Sequence, residues 1–518
     1  MADGYARAKQ HFGVCMGIGG PGITNMITAI ASAYVDQSPV LVIGGCIPRE
    51  WEGLEAVQDS SFSGISDVEL MRPITNFSNQ IPVVSAVPRF FKKAIRAMFG
   101  IKKGPAFISI PLYMQDQGLD AEAYEPLQLF QPQQFIDHRN IDTLFEILKN
   151  SHKIGLLIGN GCVQSKASEI IKHFIEQFSI PVVTTLRAKG AISEDHPLSF
   201  GVFGIGGTLQ ATQMVLGSDI TPQAALIDNC EILIVLGASL NEQNAIAVGN
   251  LDTIKHIIHV DINPDHFEDV RYKAIPILAD AATFITQIND DNRIREVLDQ
   301  WKSKRIKWID SIQKTARYDT EQDRHCDHYP MHPARILVEL RKAVPADALV
   351  IVDSGAHTFF TAHHWTSYAP NQCFVWTNNG PMGYAVAGAI GAKIAHPDKI
   401  CIAIIGDGGM MMHGIEIQTA ARYNIPVIVL ILNNAALANV FLRAHKEGQK
   451  ESMALTTCPF HDWASFAISL GAEGVNLDHY EQLQKAFDTA LNAKGPFVIN
   501  ARCGKEYQTP NPGESVLL

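Results

Sequence analysis

No two of the nine cysteines stand in a Cys-x-x-Cys pair, and their number is odd. That pattern argues against a disulfide frame and a cysteine-built zinc site, and predicts reduced thiols, several packed inside apolar runs, in a cytoplasmic protein. Basic residues are also scarce: 42 Lys and Arg face 53 Asp and Glu, a net charge of −11. This balance excludes neither a metal nor a small anion, but it argues against nucleic acid or an anionic membrane as partner. A bound anion must be held locally, by backbone amides and a metal. Apolar runs of membrane-spanning length are missing, and the first residues carry no signal-peptide pattern. A soluble, intracellular protein is the expectation.

What is present is apolar material, 47% of 518 residues, more than one hydrophobic core holds, so two or three domains are expected. The most informative stretch is 399–440. An apolar run of strand length, 400–405, ends in Gly406-Asp407-Gly408-Gly409; a segment of helix length follows; a second apolar run, 427–432, ends in Asn433-Asn434. This reads as a βαβ unit. In a parallel sheet both strands finish at the edge where ligands sit, so Asp407 and Asn434 meet although the 24 residues 409–432 separate the two motifs. A carboxylate and an amide oxygen suit a hard cation such as Mg²⁺, which completes its octahedron with phosphate oxygens and water. The amides of Gly408 and Gly409, opening the next helix, are placed to hold that phosphate.

Residues 1–118 read as α/β. Apolar runs at 14–17 and 40–44 predict buried strands, joined through Gly19-Gly20-Pro21-Gly22 and a helix over 23–34, with a third strand at 105–111. The glycine turn by itself suggests a dinucleotide site, but no acidic residue ends the next strand at Gly44-Gly45. Residues 119–140, rich in Gln and Pro, read as a linker. A second α/β region, 141–285, has strands at 154–158, 181–185, 232–236 and 256–260. The charged stretch 286–330, with Trp301, Ile306 and Trp308 at helical intervals, reads as a connecting helix with a solvated face. A third α/β region, 331–505, holds the Asp407 motif. In it a helix starts at Met331-His332-Pro333, and a strand at 349–353 runs into Ser354-Gly355-Ala356-His357. The tail after Gly504 reads as mobile or folded over the site. Residues 1–8 read as the body of a helix without a capping residue, as though the sequence began inside a domain.

The Gly-Asp-Gly to Asn-Asn spacing is similar to the diphosphate-binding signature of thiamine diphosphate (ThDP) enzymes. MADGYARA, GGPGITN, AYVDQSPVLVIGG and MRPIT resemble the pyrimidine-binding domain of the acetolactate synthase (acetohydroxyacid synthase) group, and LRAKGAISEDHPLSFG and HVDINPD resemble its central domain. The resemblance implies three consecutive α/β domains, 1–118, 141–285 and 331–505, each built on a mainly parallel sheet flanked by helices. It implies Mg²⁺ ligands at Asp407, Asn434 and the Ala436 carbonyl, diphosphate contacts at Gly406, Gly408 and Gly409, and His357 as a donor to the diphosphate. The Gly380 carbonyl matches the acceptor from the aminopyrimidine, Met382 the apolar wedge under the bent cofactor, and Gln58 a residue facing the substrate. The implied reaction is addition of the cofactor's ylid to a 2-oxo acid such as pyruvate, loss of carbon dioxide, then attack on a second carbonyl or protonation. Ligation and simple decarboxylation both stay open. One subunit's pyrimidine domain faces another's diphosphate domain in this family, so a homodimer or homotetramer is expected.

The chain departs from the family pattern at several positions. A glutamate that activates the cofactor precedes the Met-Ala-Asp-Gly-Tyr-Ala-Arg stretch in the family and is absent from this sequence. The expectation is a sequence that starts at an internal methionine of a longer protein; the alternative is a shortened, non-catalytic ThDP-binding relative. Val57 stands where the group has Phe, Asn76 where it has Lys, and Ala438-Asn439 where it has Gly-Met, which leaves the acceptor substrate open. Ser239-Leu240-Asn241-Glu242 replaces an Arg and paired aspartates near the flavin, so FAD binding and a purely structural central domain both stay open. Another ThDP-dependent 2-oxo acid decarboxylase or transferase on the same scaffold is a further alternative.

Overall fold

The computed structural model describes residues 1–121, 136–217, 227–240, 251–267, 273–375 and 378–510. Their strands form three sheets in which every ladder is parallel, flanked by helices, an α/β fold. The chain divides into two compact units, Met1–Pro132 with Trp376–Asp398, and Gln133–Val375 with Lys399–Leu518.

The first unit holds a four-stranded sheet of β1 (Gly13–Gly17), β2 (Val40–Cys46), β3 (Phe77–Gln80) and β4 (Ala106–Pro111), in the order β1-β2-β4-β3. Alternate residues of β2 feed different cores: Val40 and Val42 pack with Ile23, Ile30 and Phe107, and Leu41 with Ile81, Ala94 and Met98. The pattern at 14–17 predicts a buried strand, whereas β1 is an edge strand with Val14 and Met16 exposed. The predicted helix over 23–34 is two helices, Pro21–Thr24 and Ile27–Val35. Ala2–Lys9 is a helix as expected, with no side-chain cap. It crosses the helix Tyr384–Ala395 so closely that a Cβ on Gly4 would lie 2.3 Å from the Gly388 carbonyl oxygen, and one on Gly391 2.1 Å from that of Met1. Beside the crossing, Arg7 reaches Asp3 at 3.2 Å and Asp36 at 2.9 Å. Arg7, with the nearby hydroxyls of Ser38 and the buried Tyr384, outweighs the cost of burial and holds the Asp3 carboxyl below the usual range.

The second unit contains two six-stranded sheets. The first comprises β5 (Ile154–Ile158), β6 (Val182–Thr184), β7 (Ser199–Val202), β8 (Ile232–Leu236), β9 (His256–Asp261) and β10 (Ala274–Leu278), in the order β10-β9-β8-β5-β6-β7. β5 and β8 are wholly buried apolar runs, as strands covered on both faces require. β7, short and mixed as SFGV, and β10, an apolar run interrupted by Pro276 in which only Ile277 is buried, are not predicted. The stretch read as one connecting helix is three, Ala281–Asp290, Asn292–Gln300 and Lys302–Gln313. Within it Ile306 is 40% exposed while Arg305 is fully buried, the reverse of what polarity predicts. The Arg305 guanidinium donates to the carbonyls of Phe178, His152 and Leu298, and burial pulls its pKa down to about 10.

The third sheet comprises β11 (Leu349–Val352), β12 (Cys373–Val375), β13 (Cys401–Gly406), β14 (Ile428–Asn433), β15 (Glu473–Leu477) and β16 (Phe497–Arg502), in the order β12-β11-β13-β14-β16-β15. From β11 the chain crosses to one side and from β13 to the other, so the switch point lies between these strands, and ligands in such sheets sit in the crevice beyond their carboxyl ends. Two residues of the LRAKGAISEDHPLSFG stretch tie this sheet's helices to the preceding region: Lys189 Nζ meets Glu194 Oε1 at 2.6 Å and the Ala362 carbonyl at 2.9 Å, and Glu194 Oε2 accepts from the Ser367 amide.

All nine cysteines are free, and six are buried. Among the described residues no helix is long and apolar enough to cross a membrane. Most of the predicted linker, the residues Asn241 and Glu242, and the end of the tail, 511–518, lie outside the described residues. The helix crossing yields a prediction: Gly4→Ala lowers stability by about 1–3 kcal/mol through overpacking. Thermal unfolding checks this against Gly495→Ala, whose added Cβ meets nothing within 4 Å and leaves the midpoint nearly unchanged.

Candidate functional site

β13 leads directly into the helix Asp407–His413, with Gly406 as an extended N-cap and no side chain capping the helix start. A Cβ on Gly409 would lie 2.7 Å from Ile405 Cγ1 and 3.2 Å from the Asp353 carboxyl carbon, so residues from the tips of β11 and β13 crowd this turn. His357 closes it from the β11 side, where a Cβ on Gly406 would lie 3.2 Å from His357 Nδ1. Burial lowers the His357 pKa to about 4, partly opposed by a hydrogen bond with the Asp353 backbone, so the ring is neutral near pH 7. Its Nε2 is buried and has no hydrogen-bond partner among the described residues.

On the neighbouring strand, β14 ends at Asn433 and the chain turns through Asn434, Ala435 and Ala436. The two motifs meet as their spacing predicts. Asp407 Oδ2 accepts the backbone amides of Asn434 and Ala435, each at 3.0 Å. Asp407 Oδ1 accepts Trp463 Nε1 at 3.1 Å. Burial pushes the Asp407 carboxyl above its usual range, and these hydrogen bonds oppose the shift. Two Asx turns shape the loop: Asn433 Oδ1 takes the Ala435 amide at 3.3 Å and Asn434 Oδ1 the Ala436 amide at 3.2 Å. Ala435 adopts φ 53°, a left-handed conformation that costs an alanine roughly 1–2 kcal/mol and that the surrounding bonds enforce. Ala436 is buried and bridges Thr457.

This donor set fits a hard cation with a phosphate ligand. Among the described residues no three His, Cys, Asp or Glu side chains cluster as a metal cage. A cation at Asp407 would therefore draw its other ligands from amide and carbonyl oxygens, phosphate and water, which is the chemistry of Mg²⁺. The uncapped glycine turn is complementary to a phosphate oxygen, and His357 Nε2 becomes so in the tautomer that carries the ring proton there rather than on the nitrogen facing the Asp353 backbone.

Gln58, Gly380 and Met382 belong to the first unit. Gln58 is exposed at φ 60°, and a Cβ on Gly20 would lie 3.6 Å from its Cα. In the Gly19-Gly20 turn a Cβ on Gly19 would meet Ser60 Oγ at 2.2 Å, and the Gly20 amide donates to buried Asp67 at 3.0 Å. Gly380 and Gly383 both adopt positive φ, 55° and 83°, bracketing the half-buried Met382. Asn379 anchors this turn by donating to Ser32 Oγ at 2.8 Å. Asn76 donates to the carbonyls of Ala97 and Lys102. Trp463 and Asp353 carry no motif signal, and only the folded chain brings them to Asp407 and Gly409.

Three successive family descriptions match this chain. Residues 1–66 match the thiamine pyrophosphate enzyme N-terminal TPP binding domain, 141–288 the central domain, and 353–501 the C-terminal TPP binding domain. The "Probable acetolactate synthase large subunit" of Methanococcus aeolicus is 28% identical, over 96% of this chain and 83% of that protein. An acetolactate synthase of Arthrospira platensis is 29% identical, over 98% of this chain and 85% of that protein. The acetolactate synthase isozyme 2 large subunit of Escherichia coli K12 is 26% identical, over 96% and 85%. With its three sheets matched in order by the domains of one family, and similar along nearly its whole length to acetolactate synthase large subunits, this chain belongs to the thiamine pyrophosphate enzymes.

Proposed function

We propose that the chain binds ThDP with Mg²⁺ and catalyses decarboxylation of a 2-oxo acid, pyruvate first, with transfer of the remaining fragment to a second carbonyl compound. The observation that carries this reading is the Asp407 carboxylate clamped to the Asn434 turn beside the unpartnered His357 Nε2. When bound, ThDP supplies a thiazolium carbon that serves as nucleophile and then as electron sink.

The chain's own residues bind and orient. Asp407, the Asn434 side chain and the Ala436 carbonyl would hold the cation; the amides at Gly406, Gly408 and Gly409 would hold the diphosphate, with His357 donating to it from the tautomer protonated at Nε2. The Gly380 carbonyl accepts from the aminopyrimidine, Met382 supports the bend, and Gln58 faces the substrate. The names of the relatives favour acetolactate as product. Val57, exposed and lacking the bulk of Phe, and Asn76, committed to backbone carbonyls, leave the acceptor pocket different from the family pattern. Residues 1–118, 141–285 and 331–505 act as three domains. Reduced cysteines fit the cytosol, and the exposed apolar side chains Met16, Leu54 and Val57 in one unit and Leu455 in the other fit a homo-oligomer.

Incubation of the full-length gene product with ThDP, Mg²⁺ and pyruvate is expected to release carbon dioxide and form acetolactate, measured as acetoin after acidification. Carbon dioxide without acetoin would mark a decarboxylase, and neither product, with ThDP bound, a non-catalytic binder. Asp407→Asn keeps the shape of the side chain and weakens Mg²⁺-dependent ThDP retention by at least about 100-fold, roughly 2.7 kcal/mol, measured by calorimetry; unchanged retention removes the cation assignment. Because the folded His357 pKa lies below its ordinary 6.5, the unfolded chain binds the proton first, and stability falls as pH drops from 6.5 towards about 4. Denaturant titrations of His357→Asn are expected to show a shallower loss across that window.

A further inference from the structure

Three asparagine side chains cross the carboxyl edge of the third sheet in single file. Asn433, at the end of β14, donates Nδ2 to Asn500 Oδ1 on β16 at 2.9 Å. Asn500 donates Nδ2 to Asn476 Oδ1 on β15 at 2.7 Å, and Asn476 donates Nδ2 to Asp462 Oδ1 at 2.7 Å. Asp462 is the N-cap of the helix Trp463–Ser469, where it also accepts from the Ser465 amide and hydroxyl. The next residue is Trp463, whose indole N–H holds Asp407 Oδ1, while Asp407 Oδ2 holds the amides that follow Asn433. The path closes on itself. A spoke crosses it, since the His461 carbonyl accepts from both Asn433 and Asn500, at 3.1 and 3.4 Å.

Asn433, ending β14, and Asn500, two residues before the end of β16, are fully buried in strands otherwise apolar except for the exposed Arg502. An apolar residue would avoid the cost of desolvating an amide there, and buried amides persist in such positions only when their partners are all in place. Tying down the 461–463 segment would account for a bond or two. A ring that ends on both oxygens of one buried carboxylate does more: with Oδ1 and Oδ2 each claimed from a different direction, the Asp407 side chain cannot rotate, and its remaining lone pairs keep one heading.

We propose that the ring Asp407, Asn433, Asn500, Asn476, Asp462 and Trp463 is a positioning device for the Asp407 carboxylate, with Asn500 as its central link, and that cutting it weakens cation binding without removing a ligand. The inference rests on the cation site proposed above. Partners behind a metal ligand typically carry 10–100-fold in affinity, because the ligand must otherwise be ordered when the ion arrives.

The test is the Mg²⁺ affinity of the full chain in excess ThDP, by calorimetry, for the unsubstituted chain, Asn500→Leu, Trp463→Phe and the double variant. Each single substitution is expected to weaken Mg²⁺ about 10-fold, and the double variant to bind no more weakly than Trp463→Phe alone, since both cut one path. Asn476→Ala, at the exposed edge strand, cuts the neighbouring link and is expected to weaken Mg²⁺ in the same direction if Asn500→Leu does not fold. Mg²⁺ bound as tightly by Asn500→Leu or Asn476→Ala as by the unsubstituted chain, whatever the melting temperature, overturns the ring and leaves the cation site standing. Losses that simply add in the double variant overturn it equally. Failure of the unsubstituted chain to take up Mg²⁺ overturns the cation site itself, and the ring with it.

Discussion

One carboxylate joins two strand tips. Asp407 ends the run that forms β13, and its Oδ2 receives consecutive amides from the turn that ends β14. Without this acceptor the Asn434 amide would be an inward-facing donor with nothing to bond, a cost of about 1–3 kcal/mol. With it, the turn accepts the left-handed Ala435, and the glycine-lined start of the Asp407–His413 helix faces the same crevice as the neutral His357 ring. The switch point between β11 and β13 decides where ligands collect; the Asp407 clamp decides which atoms are presented there.

The site was legible to the extent that its parts lie at strand ends. Apolar runs ending in Gly406-Asp407 and in Asn433-Asn434 announce both the strands and their parallel pairing, and the structure brings the two motifs together at 3.0 Å. Trp463 was not legible, because its link to Asp407 spans 56 residues and depends on where one short helix is capped. Asn500 and Asn476 look like unfavourable strand residues in the sequence, and their bonds exist only after β14, β16 and β15 have lined up. Sequence patterns report what a residue prefers alone, and a ring of amides is a property of the assembled edge.

The fold was legible in the same uneven way. Buried central strands such as β5, β8 and β13 advertise themselves as continuous apolar runs, while β3, with the sequence FSNQ, and the edge strands β7 and β12 are too short or too mixed to do so. Arg305 defeats any polarity rule, because three backbone carbonyls replace its water. The helix over 23–34 failed as a single element where the chain breaks at Asn25 and Met26, between two short helices.

The helix crossing in the first unit has a mechanical meaning. With a Gly388 carbonyl where a Gly4 methyl would be, the helices Ala2–Lys9 and Tyr384–Ala395 have no clearance and form one strut. The segment bearing Met382 is fastened to that strut at Gly383, so any sideways travel of Met382 must come from rotation about the two glycines that flank it. The strut thus sets the fulcrum, and the glycines the arc, of whatever motion that methionine has.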